Sequence, residues 1–175
     1  MNDNFQILLL LILILINAFF AMSEIAIITL NENKIKKMAR NGHKGAEKIL
    51  NTTKNSSNFL ATIQVGVTLS GFLTSASAST IFANKVAEFF SFLPLSQSIL
   101  EGFSTVLITI ILSYFSLVLG ELVPKKIAMQ NAEKISFKVI GIISAIEKIF
   151  SPFIKFLSAS TNFIVKLFGI NPDDS

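Results

Sequence analysis

The chain has 175 residues, 51% of them hydrophobic and only 15% charged, with 17 Phe, 1 Tyr, no Trp and no Cys. A water-soluble domain normally carries about a quarter charged residues, so much of this surface is built to face something other than water, and a lipid bilayer is the simplest candidate. Net charge is +4, but the lysines flank apolar runs instead of forming a basic patch interleaved with stacking aromatics, which argues against nucleic acid. Without cysteine there are no disulfides, thiolate metal sites or cysteine catalysis, and a single His without a carboxylate cluster argues against zinc and haem.

Residues 5–30 form the first apolar run, and residues 7–16 contain no polar side-chain atom. As a helix at 1.5 Å per residue it reaches roughly 39 Å against a hydrocarbon core of about 30 Å, so it must tilt or break. Nothing basic precedes it, Asp3 is acidic and the run is longer than a signal-peptide core, so it reads as a retained span. Second and third spans are expected at about 59–82 and 99–123.

The connection between spans one and two, residues 31–58, carries seven basic residues, whereas Lys85 is the only one in 83–98. Lys125, Lys126, Lys134 and Lys138 follow span three. The positive-inside rule then places the first connection and the C-terminus in the cytoplasm and the N-terminus outside, across a cell membrane.

Two cytoplasmic amphipathic stretches are expected, at about 32–55 and 135–168. In the first, Asn31 is the expected N-cap and Gly42 the stop, with His43 a solvated loop residue between two short helices lying on anionic lipid. The second has no charge-free run beyond ten residues, short of a fourth span, and reads as a helix on the inner leaflet. Its Lys148, Lys155 and Lys166 fall on one side of a single helix, with a kink at Pro152. The fold class is an all-α membrane protein, three transmembrane helices per protomer plus cytoplasmic-side juxtamembrane helices.

Each span has a small or polar side. Gln64, Thr68, Gly71, Ser75 and Ser79 make a helical stripe on span two, Thr105, Thr109, Ser113, Ser116 and Gly120 another on span three, and Asn17, Ala21 and Glu24 share a face of span one beside Ser23. Gly71, Ser75 and Ser79 by themselves suggest close helix packing or dimerisation. Glu24 and Glu121 are sharper signals, because a carboxylate at bilayer depth costs about 2.5–3.5 kcal/mol even on the lenient insertion scale. A snorkelling interfacial carboxylate is the simplest account of Glu24, a secondary acidic candidate; Glu121 is harder to explain that way. Pro124 has no amide hydrogen, so the Gly120 carbonyl loses its usual helical donor and stands free beside the Glu121 carboxylate at a helix break. Adjacent oxygens suit a hard cation such as magnesium, and broken helices recur at intramembrane cation sites. A plain proline-terminated helix end is the alternative.

The elements Asn17-Ala18-Phe19-Phe20-Ala21-Met22-Ser23-Glu24, Gly66-Val67-Thr68-Leu69 and Gly120-Glu121-Leu122-Val123-Pro124-Lys125 together resemble the CNNM/CorC family. That resemblance implies a homodimeric three-span domain, normally followed by a cytoplasmic CBS-pair module, which is absent from this chain; the sequence from Asn171 onward reads as the start of a linker. It also implies magnesium export coupled to sodium influx through a dehydrated site between the spans. Carried over by motif, Glu121 and the Gly120 carbonyl become Mg2+ ligands, Ser23 and Asn17 candidate ligands, and Pro124 the residue that shapes the break. Members of the better-studied branch look to have Ser at the positions of Asn17 and Ala21 and Asn at those of Val67 and Gly71; Thr68, Ser70 or Gln64 would have to substitute. The competing function is a membrane-anchoring regulatory or scaffold domain without transport of its own. A wide haemolysin-like pore needs more polar surface than these stripes provide, and no nucleophile-base pair or phosphate loop suggests an enzyme.

Overall fold

The computed structural model describes residues 3–172, so part of the expected linker, residues 173–175, lies outside the described residues. The described chain is helical: α1 (Asp3–Ile28), α2 (Glu32–Arg40), α3 (Lys44–Thr53), α4 (Ser56–Phe89), α5 (Gln97–Leu117), a π-helical segment (Val118–Leu122), α6 (Val123–Gln130), α7 (Ala132–Ile149) and α8 (Ser151–Leu167). Among the described residues three helical stretches are long and apolar enough to cross a membrane: Asn4–Ile28, Ser56–Phe89 and Gln97–Gln130. Their outer faces carry exposed Leu8, Leu11, Leu15, Leu69, Phe72, Ile110 and Tyr114, a cost in water that lipid removes.

The helices divide into two compact units. The first contains residues up to Met22 together with Gly66–Ile127. Its apolar core is formed by Leu10 on α1, Ala78 on α4 and Ile108 on α5, with Ile81, Phe82, Ala83, Val86 and Leu112 packed against them. Here α4 runs past the expected end at residue 82 to Phe89. Lys85 and Glu88 end the apolar run but not the helix, because Ala83 and Val86 still have a core to pack on.

Close approach within this unit depends on Gly66 of α4. A Cβ there would overlap the ring of Phe20 on α1, which is itself buried. Many hydroxyls of α4 and α5 turn back onto their own helices: Thr74 Oγ1 donates to Ser70 O at 2.6 Å, Ser104 Oγ to Leu100 O at 2.6 Å, Thr109 Oγ1 to Thr105 O at 2.7 Å and Ser113 Oγ to Thr109 O at 2.6 Å. Bonding to the carbonyl four residues back lets a hydroxyl sit in apolar surroundings without a partner from another helix. Nothing lies within 4 Å of a Cβ built on Gly71, so the small-residue stripe of α4 faces open space at this point.

The second unit contains Ser23–Val65 and the described residues from Ala128 on. Asn31 caps α2 by accepting from Lys34 N at 3.1 Å, and Gly42, at φ +88°, takes the left-handed conformation that ends the helix. His43 does more than the solvated-loop expectation allowed. Its Nδ1 accepts from Ala46 N at 3.1 Å and so caps α3, while its ring lies 4.5 Å from that of Phe137 on α7. The expected single C-terminal helix is two helices, separated at Phe150 (φ −95°, ψ 16°), with Pro152 in the first turn of α8 where its missing N–H costs nothing. Lys148 therefore sits on α7 and Lys155 and Lys166 on α8, so the three do not share one helix face as expected. Lys34 of α2 pairs with Glu133 of α7 at 2.5 Å.

Candidate functional site

The expected helix break at Pro124 takes a different form. Helix continues through it, and the strain of the missing amide is absorbed one turn earlier, where Val118–Leu122 widens into a π segment and Val123 N donates to Val118 O, five residues back. A π turn leaves carbonyls out of the regular ladder and is frequent at functional sites. Gly120 lies inside it and is buried. Its carbonyl accepts from Asn17 Nδ2 of α1 at 2.9 Å. A Cβ on Gly120 would stand 3.0 Å from that nitrogen, so glycine leaves room for the bond.

Because the Gly120 oxygen can only accept, it fixes the Asn17 amide with its nitrogen toward Gly120 and its oxygen toward α4. There Ser70 Oγ lies 3.0 Å from Asn17 Oδ1, 2.6 Å from Gly66 O and 3.1 Å from Val67 O. A hydroxyl has one proton to give, so three acceptors compete for it. The result is a buried junction, Asn17 and Ser70 each 3% exposed, in which three membrane-crossing helices meet through oxygen atoms that outnumber the protons available.

One residue beyond Gly120, Glu121 is half-buried and borders a groove of about 420 Å³ between α4 and α5. Thr68, Gly71 and Ser75 line it from α4, Ser113 and Ser116 from α5. The first unit thus brings together Asn17, Ser70 and Gly120 by direct hydrogen bonds, and Thr68 and Glu121 along one groove. Pro124 is buried just past the π segment. The other candidates belong to the second unit: Ser23 is fully buried, Glu24 half-buried and Gln64 exposed. Among the described residues no three His, Cys, Asp or Glu side chains are grouped to hold a metal; the junction's oxygens are an amide, a hydroxyl and backbone carbonyls, and the groove adds the Glu121 carboxylate, donor types suited to hard cations rather than zinc.

Sequence reasoning reached Asn17, Thr68, Gly120 and Glu121 through the proline and the polar faces of the spans and Ser70 only through the family resemblance, and it missed the π segment and the Asn17 bridge. The sequence signal was there: a proline four residues after a glycine orphans the glycine's carbonyl, and an asparagine on a neighbouring span is the donor type that can answer it.

The family model of the cyclin M transmembrane N-terminal domain, CNNM, matches residues 8–175. Among curated proteins, the UPF0053 protein sll0260 of Synechocystis is 33% identical over 164 residues, 94% of this chain and 37% of that protein. The UPF0053 protein YrkA of Bacillus subtilis is 30% identical over 161 residues, 92% of this chain and 37% of that protein. An uncharacterized protein of Mycobacterium tuberculosis, Rv1841c, is 26% identical over 168 residues, 96% of this chain and 48% of that protein. The chain spans between about a third and a half of the length of these relatives.

Proposed function

The chain belongs to the CNNM transmembrane-domain family, and from that membership we propose that it transports a divalent cation, magnesium in particular, exporting it in exchange for sodium influx. The observation that carries this reading is the junction of Asn17, Ser70 and Gly120, where buried oxygens compete for too few protons, with Glu121 next to Gly120 in sequence and lining the α4–α5 groove. A magnesium ion demands oxygen ligands in near-octahedral array and gives up water reluctantly. Asn17 Oδ1, Ser70 Oγ, the second lone pair of Gly120 O and the Glu121 carboxylate supply such ligands, with Thr68 from the groove and water completing the shell. The carboxylate also offsets part of the ion's charge in a low-dielectric setting. The π segment, held outside the regular helical ladder, is the element whose rearrangement would open the ion to one side or the other.

In this reading the N-terminus is outside and α2, α3, α7 and α8 lie at the cytoplasmic face of the cell membrane, following the basic residues. Two copies pair as a homodimer through the open Gly71–Ser75 face, where small side chains permit close backbone approach. A CBS-pair module in the full-length protein would couple transport to cytoplasmic signals.

The anchoring or scaffold reading also has an observation in its favour: the Gly120 carbonyl already has a protein donor in Asn17, as a purely structural bridge would. Magnesium flux into or out of liposomes separates the two. Glu121→Ala and Ser70→Ala should abolish flux while leaving the oligomeric state unchanged, and undiminished flux in both variants rejects the transport assignment.

A further inference from the structure

The second unit contains a pocket of about 470 Å³ between α3 and α7 that the transport reading does not use. Lys44 and Lys48 reach it from α3 and Lys148 from α7, with Glu47 and Glu147 as the opposing charges. Its lining includes Thr52 and Ser144, both more than nine-tenths buried. Three lysines and two buried hydroxyl residues lining one pocket match the needs of a phosphate, which takes point charges and O–H donors on its several oxygens.

One further observation points to a lipid as the source of that phosphate, and a second adds a donor for it. Ile142 and Ile149 on α7 and Phe153 and Phe156 on α8 are exposed apolar side chains, as on helices that lie at a membrane surface. Glu147 Oε2 is buried without a hydrogen-bond partner, and burial pushes the Glu147 carboxyl above its usual range; in its protonated form it can donate to a phosphate oxygen, with Lys44, Glu47, Lys48 and Lys148 as its charged neighbours in the pocket.

We propose that the α3–α7 pocket binds the phosphate headgroup of an anionic membrane lipid and so ties the juxtamembrane helices to the bilayer surface. The test uses the full chain in neutral detergent, titrated with short-chain phosphatidic acid, short-chain phosphatidylcholine or inorganic phosphate and followed by native mass spectrometry and thermal unfolding. Phosphatidic acid should bind saturably and raise the unfolding temperature. The triple variant Lys44→Gln, Lys48→Gln, Lys148→Gln should weaken binding tenfold or more, whereas the pair Lys155→Gln, Lys166→Gln on α8 should change it less than twofold. Equal weakening by both sets, or phosphatidylcholine binding as tightly, overturns the proposal. Inorganic phosphate displacing the lipid at comparable concentration overturns the assignment to lipid.

Discussion

Asn17 and Gly120 are 103 residues apart, yet the Asn17 side-chain amide donates to the Gly120 carbonyl at 2.9 Å and thereby joins the first membrane-crossing helix to the third. The bond answers a vacancy that Pro124 creates, and through its oxygen the same amide orients Ser70 on α4. Asn17→Leu removes donor and acceptor together and leaves Gly120 O buried with no partner. Interhelical hydrogen bonds in membranes average about 0.6 kcal/mol with a maximum near 1.7, and an orphaned buried acceptor adds about 1–3 kcal/mol. We expect a loss of about 1–3 kcal/mol, read as a lower unfolding temperature in detergent; an unchanged melt would show that the bridge contributes nothing.

Gly66→Ala drives a methyl group into the Phe20 ring. Because Phe20 is 7% exposed, the ring has little room to withdraw, and overpacking of this kind costs about 1–3 kcal/mol. The double variant Gly66→Ala, Phe20→Leu should recover part of that loss in the same melt. A recovery of zero would place the strain somewhere other than this contact.

Pro124→Ala restores an amide that can donate to Gly120 O. The π segment at Val118–Leu122 should then relax toward a regular α-helix, with the carbonyl turned back into its own ladder and away from Asn17. Magnesium affinity, measured by calorimetry, should fall about tenfold, equivalent to about 1.4 kcal/mol. An unchanged titration would separate the proline from ion binding.

Glu147 gives the juxtamembrane unit a dependence on pH. Burial raises its pKa in the folded state above the ordinary value of 4.5, so between those two values the folded chain holds more protons than the unfolded one. The group's favourable contribution is complete below the unfolded pKa and is lost as pH rises through the folded pKa. Thermal unfolding followed upward from pH 4 should show stability falling across that window, and Glu147→Gln should flatten the slope. Identical pH profiles for the two proteins would contradict the assignment to Glu147.

Much of the fold could be read from charge and apolar length alone. The charge-free residues 7–16, the lysines crowded between residues 34 and 54 and the caps at Asn31 and Gly42 are local signals, and each left the corresponding helix where it was expected. Features set by contacts between distant segments were less legible. α4 continues to Phe89 because Val86 has a core to reach, and no hydropathy window records that. His43 caps α3 against Phe137, a role visible only once α7 is in place. At the site, Pro124 announced an orphaned carbonyl, but whether the helix would break or widen depended on Asn17 being there to take up the bond. The stripes of hydroxyls on α4 and α5 were the least informative signal, since many of those groups satisfy themselves on their own helix.

The transport account rests on a divalent cation sitting among these oxygens, and anomalous scattering from crystals grown with manganese in place of magnesium tests it most directly. The account predicts an anomalous peak within coordination distance of the Glu121 carboxylate, shared with Ser70 Oγ or Asn17 Oδ1 and lost in Glu121→Ala. Clear density for these side chains with no peak among them at saturating manganese would contradict it.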